Sequence, residues 1–254
     1  MTIVAGDARL ETLRIDGDPA RPTIVLLHEG LGSVALWRDF PPLLAARTRC
    51  AVVAYSRRGY GASDPLAGPR EPDYMHREAT EVLPDVLDAL AIERPILFGH
   101  SDGASIAIVF AGTFPERVRA LVLEAPHVFV EEISLRSIAA AREAWETTDL
   151  RARLGRYHQH VEGAFRGWND AWLDPRFRDW NIEAEAARIS APVLVIQGED
   201  DEYGTLAQVE SIAARVPHVQ TVVLPDTGHS PHRDAPERIV ARVATFIDEV
   251  VATG

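Results

Sequence analysis

A serine flanked by glycines stands where a strand pattern turns into a helix pattern. Gly99-His100-Ser101-Asp102-Gly103 follows the apolar run at 95–98 and precedes a helical stretch at 104–110. In that strand–turn–helix setting, G-x-S-x-G makes a bend so tight that small residues are needed around it, and the serine hydroxyl is exposed at the carboxyl end of the sheet. Ser101 is therefore the candidate nucleophile, and the helix after it aims free N–H groups and a positive dipole end at the same spot. A serine hydroxyl attacks poorly without a base. His229, in Asp226-Thr227-Gly228-His229-Ser230-Pro231, is the candidate base, with His232 as its competitor. His100 adjoins the nucleophile, but neighbours at a strand end point to opposite sides, so it reads as structural.

An imidazole base needs an anion to fix its tautomer and steady its positive charge. The run at 192–196 leads into Gln197-Gly198-Glu199-Asp200-Asp201-Glu202, where four carboxylates compete for that role; Glu124, at the end of the run at 118–123, is an outside candidate. A developing oxyanion needs donors as well. One is the backbone N–H of Asp102, the residue after the nucleophile. A second is expected from the glycine-rich loop His28-Glu29-Gly30-Leu31-Gly32-Ser33, whose backbone can approach a ligand closely.

These groups need a scaffold. Apolar runs at 23–27, 51–54, 95–98, 118–123, 192–196 and 221–224 are mostly apolar throughout rather than alternating, as in strands covered on both faces. Helical patterns lie between them, at 78–90, 206–216 and 236–251, so the expectation is an α/β fold with a mostly parallel sheet. The rhythm breaks from 127 to 189, where no strand is evident. Helical patterns at 131–146 and 150–160 are followed there by a stretch rich in Trp and Phe, and the segment holds four of the five tryptophans. The expected organisation is a core of 1–126 and 190–254 with a helical cap at 127–189 that forms a lid over a pocket. Most of its aromatics are expected to pack rather than to line that pocket.

Composition narrows the function. With 254 residues, 46% hydrophobic and 25% charged, the chain is an ordinary globular one of a length that α/β folds often use as a single domain. Lys and Arg number 26 against 38 Asp and Glu, a net charge of −12, which argues against a nucleic-acid partner. No apolar run approaches a membrane span, and the N-terminus lacks the pattern of a secretory signal, so a cytoplasmic protein is expected. The one cysteine, Cys50, sits in an apolar run and reads as a buried small hydrophobe.

In combination, these motifs resemble the α/β-hydrolase superfamily, in the cap-bearing Ser-Asp-His branch of carboxylesterases and C–C hydrolases. Leu26-Leu27-His28-Glu29-Gly30-Leu31-Gly32-Ser33 is similar to the family's H-G-x-x-G-S loop, and Tyr55-Ser56-Arg57-Arg58-Gly59-Tyr60-Gly61-Ala62-Ser63 to its D-x-R-G-x-G-x-S segment. The nucleophile elbow, the G-x-x-D of Gly198-Glu199-Asp200-Asp201 and the Gly228-His229 pair follow in the family's order. The resemblance implies Asp201 as the triad acid and Gly30 as the second oxyanion donor. Two positions depart from the pattern: Glu29 replaces a glycine and Ser56 an aspartate, while Asp102 is more acidic than the commoner residue there. Structural roles are favoured for both acids, Asp102 at a helix N-terminus and Glu29 paired with Arg57 or Arg58. The sharper alternative is that their charge turns away anionic acyl groups.

The expected activity is hydrolysis of a small carboxylic ester, thioester or lactone through Ser101, His229 and Asp201, by way of an acyl-enzyme. This chemistry calls for no cofactor and no metal. The implied partner is a small ester-like molecule, not nucleic acid or membrane, and no oligomeric state is implied. The alternatives are C–C bond hydrolysis of meta-cleavage products, or a non-catalytic ligand-binding member of the fold.

Overall fold

The computed structural model describes residues 1–252. Its strands are β1 (Thr2–Ala5), β2 (Ala8–Ile15), β3 (Ile24–Leu27), β4 (Val52–Tyr55), β5 (Ile96–His100), β6 (Ala120–Glu124), β7 (Val193–Gly198) and β8 (Gln220–Leu224). They form one sheet in the order β1-β2-β4-β3-β5-β6-β7-β8. The six expected runs supply β3 to β8, and all their mutual pairings are parallel. Every residue of β3 to β7 is buried, which is why these strands read as unbroken apolar runs.

Two strands were not expected. β1 and β2 form an antiparallel hairpin, and β2 pairs antiparallel with β4. Gly6, at φ 57°, takes the turn between them. In β2 burial alternates, with Ala8, Leu10 and Thr12 inward. A strand with one wet face carries charges such as Arg9 and Glu11 and so escapes a search for continuous apolar runs.

Helices cover both faces. α1 (Phe40–Thr48) packs on one face together with a C-terminal helix at Pro236–Ala252, over Ile24, Leu26, Val52, Ile96, Phe98 and Val122. The opposite face, with Val25, Leu27, Val53, Leu97, Leu121 and Leu123, is covered next by α2 (Tyr74–Arg77), α3 (Leu83–Ala89) and α4 (Asp102–Thr113). A π-helical turn at Glu78–Val82 joins α2 to α3. Pro84 explains it: proline has no N–H to offer the carbonyl of Thr80, and its ring crowds that carbonyl.

Between β6 and β7 lie α5 (Glu132–Thr147), α6 (Leu150–Leu154), α7 (Val161–Trp172) and α8 (Glu183–Ala186). The helix expected over 150–160 is shorter than its pattern. After Gly155 the chain turns, and the buried His158 accepts from the Gly61 N–H at 3.0 Å while its other nitrogen contacts the Leu31 carbonyl, also at 3.0 Å. The Trp- and Phe-rich stretch is itself a helix, α7, and Phe165, Trp168 and Trp172 share its buried face. After β7 come α9 (Leu206–Arg215), α10 (Pro231–Asp234) and α11 (Pro236–Ala252). Cys50 is buried and free, as expected. Among the described residues, no helix is long and apolar enough to cross a membrane.

Candidate active site

Ser101 occupies the junction of β5 and α4 at φ 54°, ψ −117°, a conformation that a non-glycine residue rarely adopts. The two flanking glycines make the bend possible. A Cβ on Gly99 would lie 2.3 Å from the Gly103 carbonyl oxygen, and one on Gly103 would lie 2.0 Å from that of Leu27. The bend raises the Ser101 hydroxyl toward the loop after β8, where His229 Nε2 meets Oγ at 2.9 Å. His229 Nδ1 lies 2.8 and 2.9 Å from the two carboxylate oxygens of Asp201.

Asp201 is thereby singled out from the acidic loop. Its Oδ1 accepts from the N–H groups of Tyr203 (2.8 Å) and Gly204 (3.2 Å), and its Oδ2 accepts from Gln197 Nε2 (2.7 Å). Burial pushes its carboxyl up, but the hydrogen bond and charge of His229 and the Tyr203 N–H outweigh that and hold it below the ordinary carboxylate value. Glu199, Asp200 and Glu202 are exposed, although Glu202 accepts from the backbone N–H of His229 at 3.3 Å.

The two remaining competitors find each other. His232 Nδ1 lies 2.6 Å from Glu124 Oε2, and both side chains are fully buried. Burial pushes the Glu124 carboxyl up, and His232 and His100 pull it below its usual value. His100, Glu124 and His232 are also the one set of metal-ligating types that the described residues bring together, with ligand atoms within 4.8 Å. The 2.6 Å approach has the length of a charge-assisted hydrogen bond. Two ligands on a tetrahedral zinc would stand about 3.3 Å apart, so the spacing of the pair suits a hydrogen bond between them rather than a cation held by both.

A cavity of about 100 Å³ opens over Ser101, with Gly30, Leu31, Ile138, Trp168 and Trp172 among its walls. Among the described residues, the backbone N–H groups of Gly30 and Asp102 have no hydrogen-bond partner. Tyr203 packs against His229 with the ring centres 4.7 Å apart and the planes tilted by 40°. His127 also lines the cavity; burial first, then the nearby His229, pushes its imidazole down to about 3, so it stays neutral. Sequence reasoning did not pick out Tyr203, His127 or Ile138. Of the cap-segment tryptophans, Trp168 and Trp172 line the cavity, whereas Trp145 stacks on Phe165 at 4.1 Å and Trp180 on Phe177 at 5.3 Å.

Asp102 lies in the first turn of α4, as expected, but Glu29 has partners other than those expected. Glu29 pairs with neither Arg57 nor Arg58. Its Oε1 accepts from Arg233 Nη2 at 3.1 Å, and its Oε2 lies 3.6 Å from His100 Nδ1. Arg58 instead binds Asp7, and Arg57 donates to the Glu29 carbonyl at 2.9 Å and faces Asp102 at 3.7 Å. The Arg57 guanidinium lies against the backbone of Glu29, while the Glu29 side chain turns toward α10. The Asp102 carboxylate is buried, accepting from the Tyr74 hydroxyl at 2.5 Å and from Trp172 Nε1 at 3.2 Å. Ser56 donates to Glu11 Oε2 at 2.7 Å and accepts from the Val34 N–H at 2.9 Å, so a carboxylate from β2 reaches the place where the family carries its own.

Comparison with known proteins agrees with this architecture. Residues 24–242 match the model of the alpha/beta hydrolase family. A 2-hydroxy-6-oxononadienedioate/2-hydroxy-6-oxononatrienedioate hydrolase of Cupriavidus pinatubonensis is 26% identical over 262 residues, covering 90% of this chain and 88% of that one. A 2-(acetamidomethylene)succinate hydrolase of Mesorhizobium japonicum is 24% identical over 271 residues, covering 93% and 92%. Among solved structures, the carboxylesterase CesB of Bacillus subtilis superposes with a TM-score of 0.74 at 25% identity, over 97% of this chain and 90% of that one. With its eight-stranded, mostly parallel sheet and flanking helices, the chain belongs to the alpha/beta hydrolase family.

Proposed function

We propose that this chain is a serine hydrolase that transfers a small, uncharged acyl group from an ester, thioester or lactone to water. Ser101 Oγ attacks the acyl carbonyl while its proton passes to His229 Nε2. The negative charge that develops on the carbonyl oxygen is met by the N–H groups of Gly30 and Asp102, each such donor worth typically ~2.7–4 kcal/mol in the chemical step. Asp201 keeps the proton of His229 on Nδ1 and balances the imidazolium as it forms. The C–O (or C–S) bond to the leaving group breaks, and His229 Nε2 returns the proton to that group. Water then attacks the acyl-enzyme, losing a proton to His229, and Ser101 leaves reprotonated. None of these steps calls on a metal or an organic cofactor.

The observation that carries this reading is the unbroken line of contacts from Ser101 Oγ through His229 to Asp201, at 2.9 and 2.8 Å, ending on a serine at positive φ. The helical segment between β6 and β7 acts as a cap, because α5 and α7 supply Ile138, Trp168 and Trp172 to the cavity wall. Substrate charge follows from the same wall. Its residues include Glu29 and Asp102 and neither lysine nor arginine. A carboxylate-bearing acyl group would enter without a counter-charge, which disfavours the dicarboxylate substrates named for two of the relatives.

The test is reaction with a serine-directed fluorophosphonate followed by peptide mapping, beside turnover of p-nitrophenyl acetate by Ser101→Ala. Labelling at Ser101 is expected, together with a loss of several orders of magnitude in kcat that leaves ~10³–10⁴ over water. Near-normal turnover by the variant would sink the assignment.

A further inference from the structure

We propose that Glu29 and His100 form a clamp that fixes the His229 loop against the loop carrying Gly30, making both of them positioning residues; the inference rests on the catalytic reading of Ser101, His229 and Asp201. The His229 ring touches Ser101 and Asp201, but its backbone hangs on the short connection between β8 and α10. The carbonyl oxygen of His229 accepts a hydrogen bond from His100 Nε2 at 2.7 Å. That bond assigns the Nε2 proton of a fully buried ring and leaves Nδ1, which makes no hydrogen bond, facing Glu29 Oε2 at an ion-pair distance of 3.6 Å.

Glu29 grips the same connection a second time. Its other oxygen accepts from Arg233, which lies in α10 immediately beyond the His229 loop, at 3.1 Å. One carboxylate thus holds both ends: residue 229 through His100, and residue 233 directly. Between them, His232 is anchored to Glu124. The loop around Glu29 leaves room for this role, since a Cβ on Gly32 would fall 2.3 Å from Glu29 Oε2. The charges agree with the geometry. Burial pushes the Glu29 carboxyl up, yet His100 and Arg233 hold it well below the ordinary carboxylate value. Burial pushes His100 down, and Glu29 and Glu124 reverse this to a net raised value.

A clamp of this kind acts on the approach of Nε2 to Oγ. A displacement of about 1 Å in such a contact costs up to about 10²-fold in rate. His100→Leu removes the grip on the His229 carbonyl and leaves the Glu29–Arg233 contact in place, while His100→Gln keeps a donor near the place of Nε2. With p-nitrophenyl acetate, His100→Leu is expected to lower kcat by about 10- to 100-fold with KM within about twofold of wild type. His100→Gln is expected to recover most of that loss. Glu29→Ala should lower kcat in the same direction, and the double variant Glu29→Ala/His100→Leu should fall short of the product of the single losses, because the two act as one unit.

Wild-type kcat in a folded His100→Leu, a loss confined to KM, failure of His100→Gln to rescue, or additive losses in the cycle would each overturn the clamp. If His100→Leu does not fold, Glu29→Ala and His100→Gln decide: an unchanged kcat in Glu29→Ala overturns the clamp. Fluorophosphonate labelling of the wild type separates the two levels. An unlabelled Ser101 sinks the catalytic reading, whereas a labelled Ser101 with full activity in the variants sinks only the clamp.

Discussion

Replacing Asp201 by asparagine removes one negative charge and leaves most of the local hydrogen bonding in place. His229 Nδ1 is nearly equidistant from both carboxylate oxygens, at 2.8 and 2.9 Å. An asparagine oxygen in the place of Oδ1 still accepts from the Tyr203 and Gly204 N–H groups and from Nδ1–H, so the productive tautomer survives. The amide NH₂ then occupies the place of Oδ2, opposite the Gln197 NH₂ now at 2.7 Å. Gln197 Oε1 has no partner, so Gln197 can turn over and offer it, giving up its 3.1 Å bond to the Gly204 carbonyl. The structural cost is therefore about one hydrogen bond, ~0.5–1.5 kcal/mol. The catalytic cost is the charge. Two unit charges about 4 Å apart at an effective dielectric of about 20 attract by about 4 kcal/mol. At about 1.4 kcal/mol per factor of ten, kcat for Asp201→Asn should fall about 10³-fold. Stopped assays with p-nitrophenyl acetate near neutral pH measure this, with Asp200→Asn as the exposed control expected to keep its rate. A loss under tenfold, or an equal loss in the control, would refute the argument.

Other perturbations test the surroundings. Asp102→Asn keeps an acceptor for Tyr74 Oη, and Trp172 Nε1 retains Tyr74 Oη at 3.0 Å, but the buried Arg57 loses the carboxylate it faces at 3.7 Å. It should lose about 3–5 kcal/mol of stability in urea melts, and should hydrolyse p-nitrophenyl esters of dicarboxylic acids faster relative to p-nitrophenyl butyrate; unchanged relative rates would remove its role in charge selection. His232→Leu leaves the buried Glu124 carboxylate unpaired and should cost about 3–5 kcal/mol, read from the same melts. The Glu124 carboxyl is depressed in the folded state, so its stabilisation is present above the unfolded value of about 4.3 and is lost as pH falls through the folded value. The stability of the wild type should therefore drop across that acid window more steeply than that of Glu124→Gln. Trp168→Ala widens the cavity wall and should shift preference from acetyl toward longer acyl esters, seen as a changed ratio of kcat/KM values.

The parts of this molecule that were legible in sequence are those that local chemistry determines. Five strands buried on every residue left unbroken apolar runs, and the bend at Ser101 left a pair of glycines that the backbone contacts at 2.0 and 2.3 Å require. The β1–β2 hairpin was not legible by that route, since a half-exposed strand alternates, and α7 was hidden because three large aromatics on one helical face look like an aromatic cluster. The acid facing His229 needed more than composition: within Glu199-Asp200-Asp201-Glu202 the four carboxylates look alike, and it was the resemblance of Gly198–Asp201 to the family's G-x-x-D that pointed to Asp201, the one that receives the N–H groups of Tyr203 and Gly204.

Partner choice among the buried charges was illegible for a related reason. Glu29 and Arg57 lie in loops that follow the adjacent strands β3 and β4, so a pairing between them is the natural guess from sequence. Adjacent loops bring backbones together, and Arg57 does bind the backbone of Glu29. The Glu29 side chain instead meets Arg233, from α10, which returns to the same end of the sheet after 204 residues. The convergence of strand ends selects that pairing: β3, β5 and β6 are neighbours in the sheet, and α10 lies across their carboxyl ends, so Glu29, His100, Glu124 and His232 are gathered from four separate segments. Charges brought together in this way satisfy one another beneath Ser101 and His229, and the cavity above them is lined by neither lysine nor arginine.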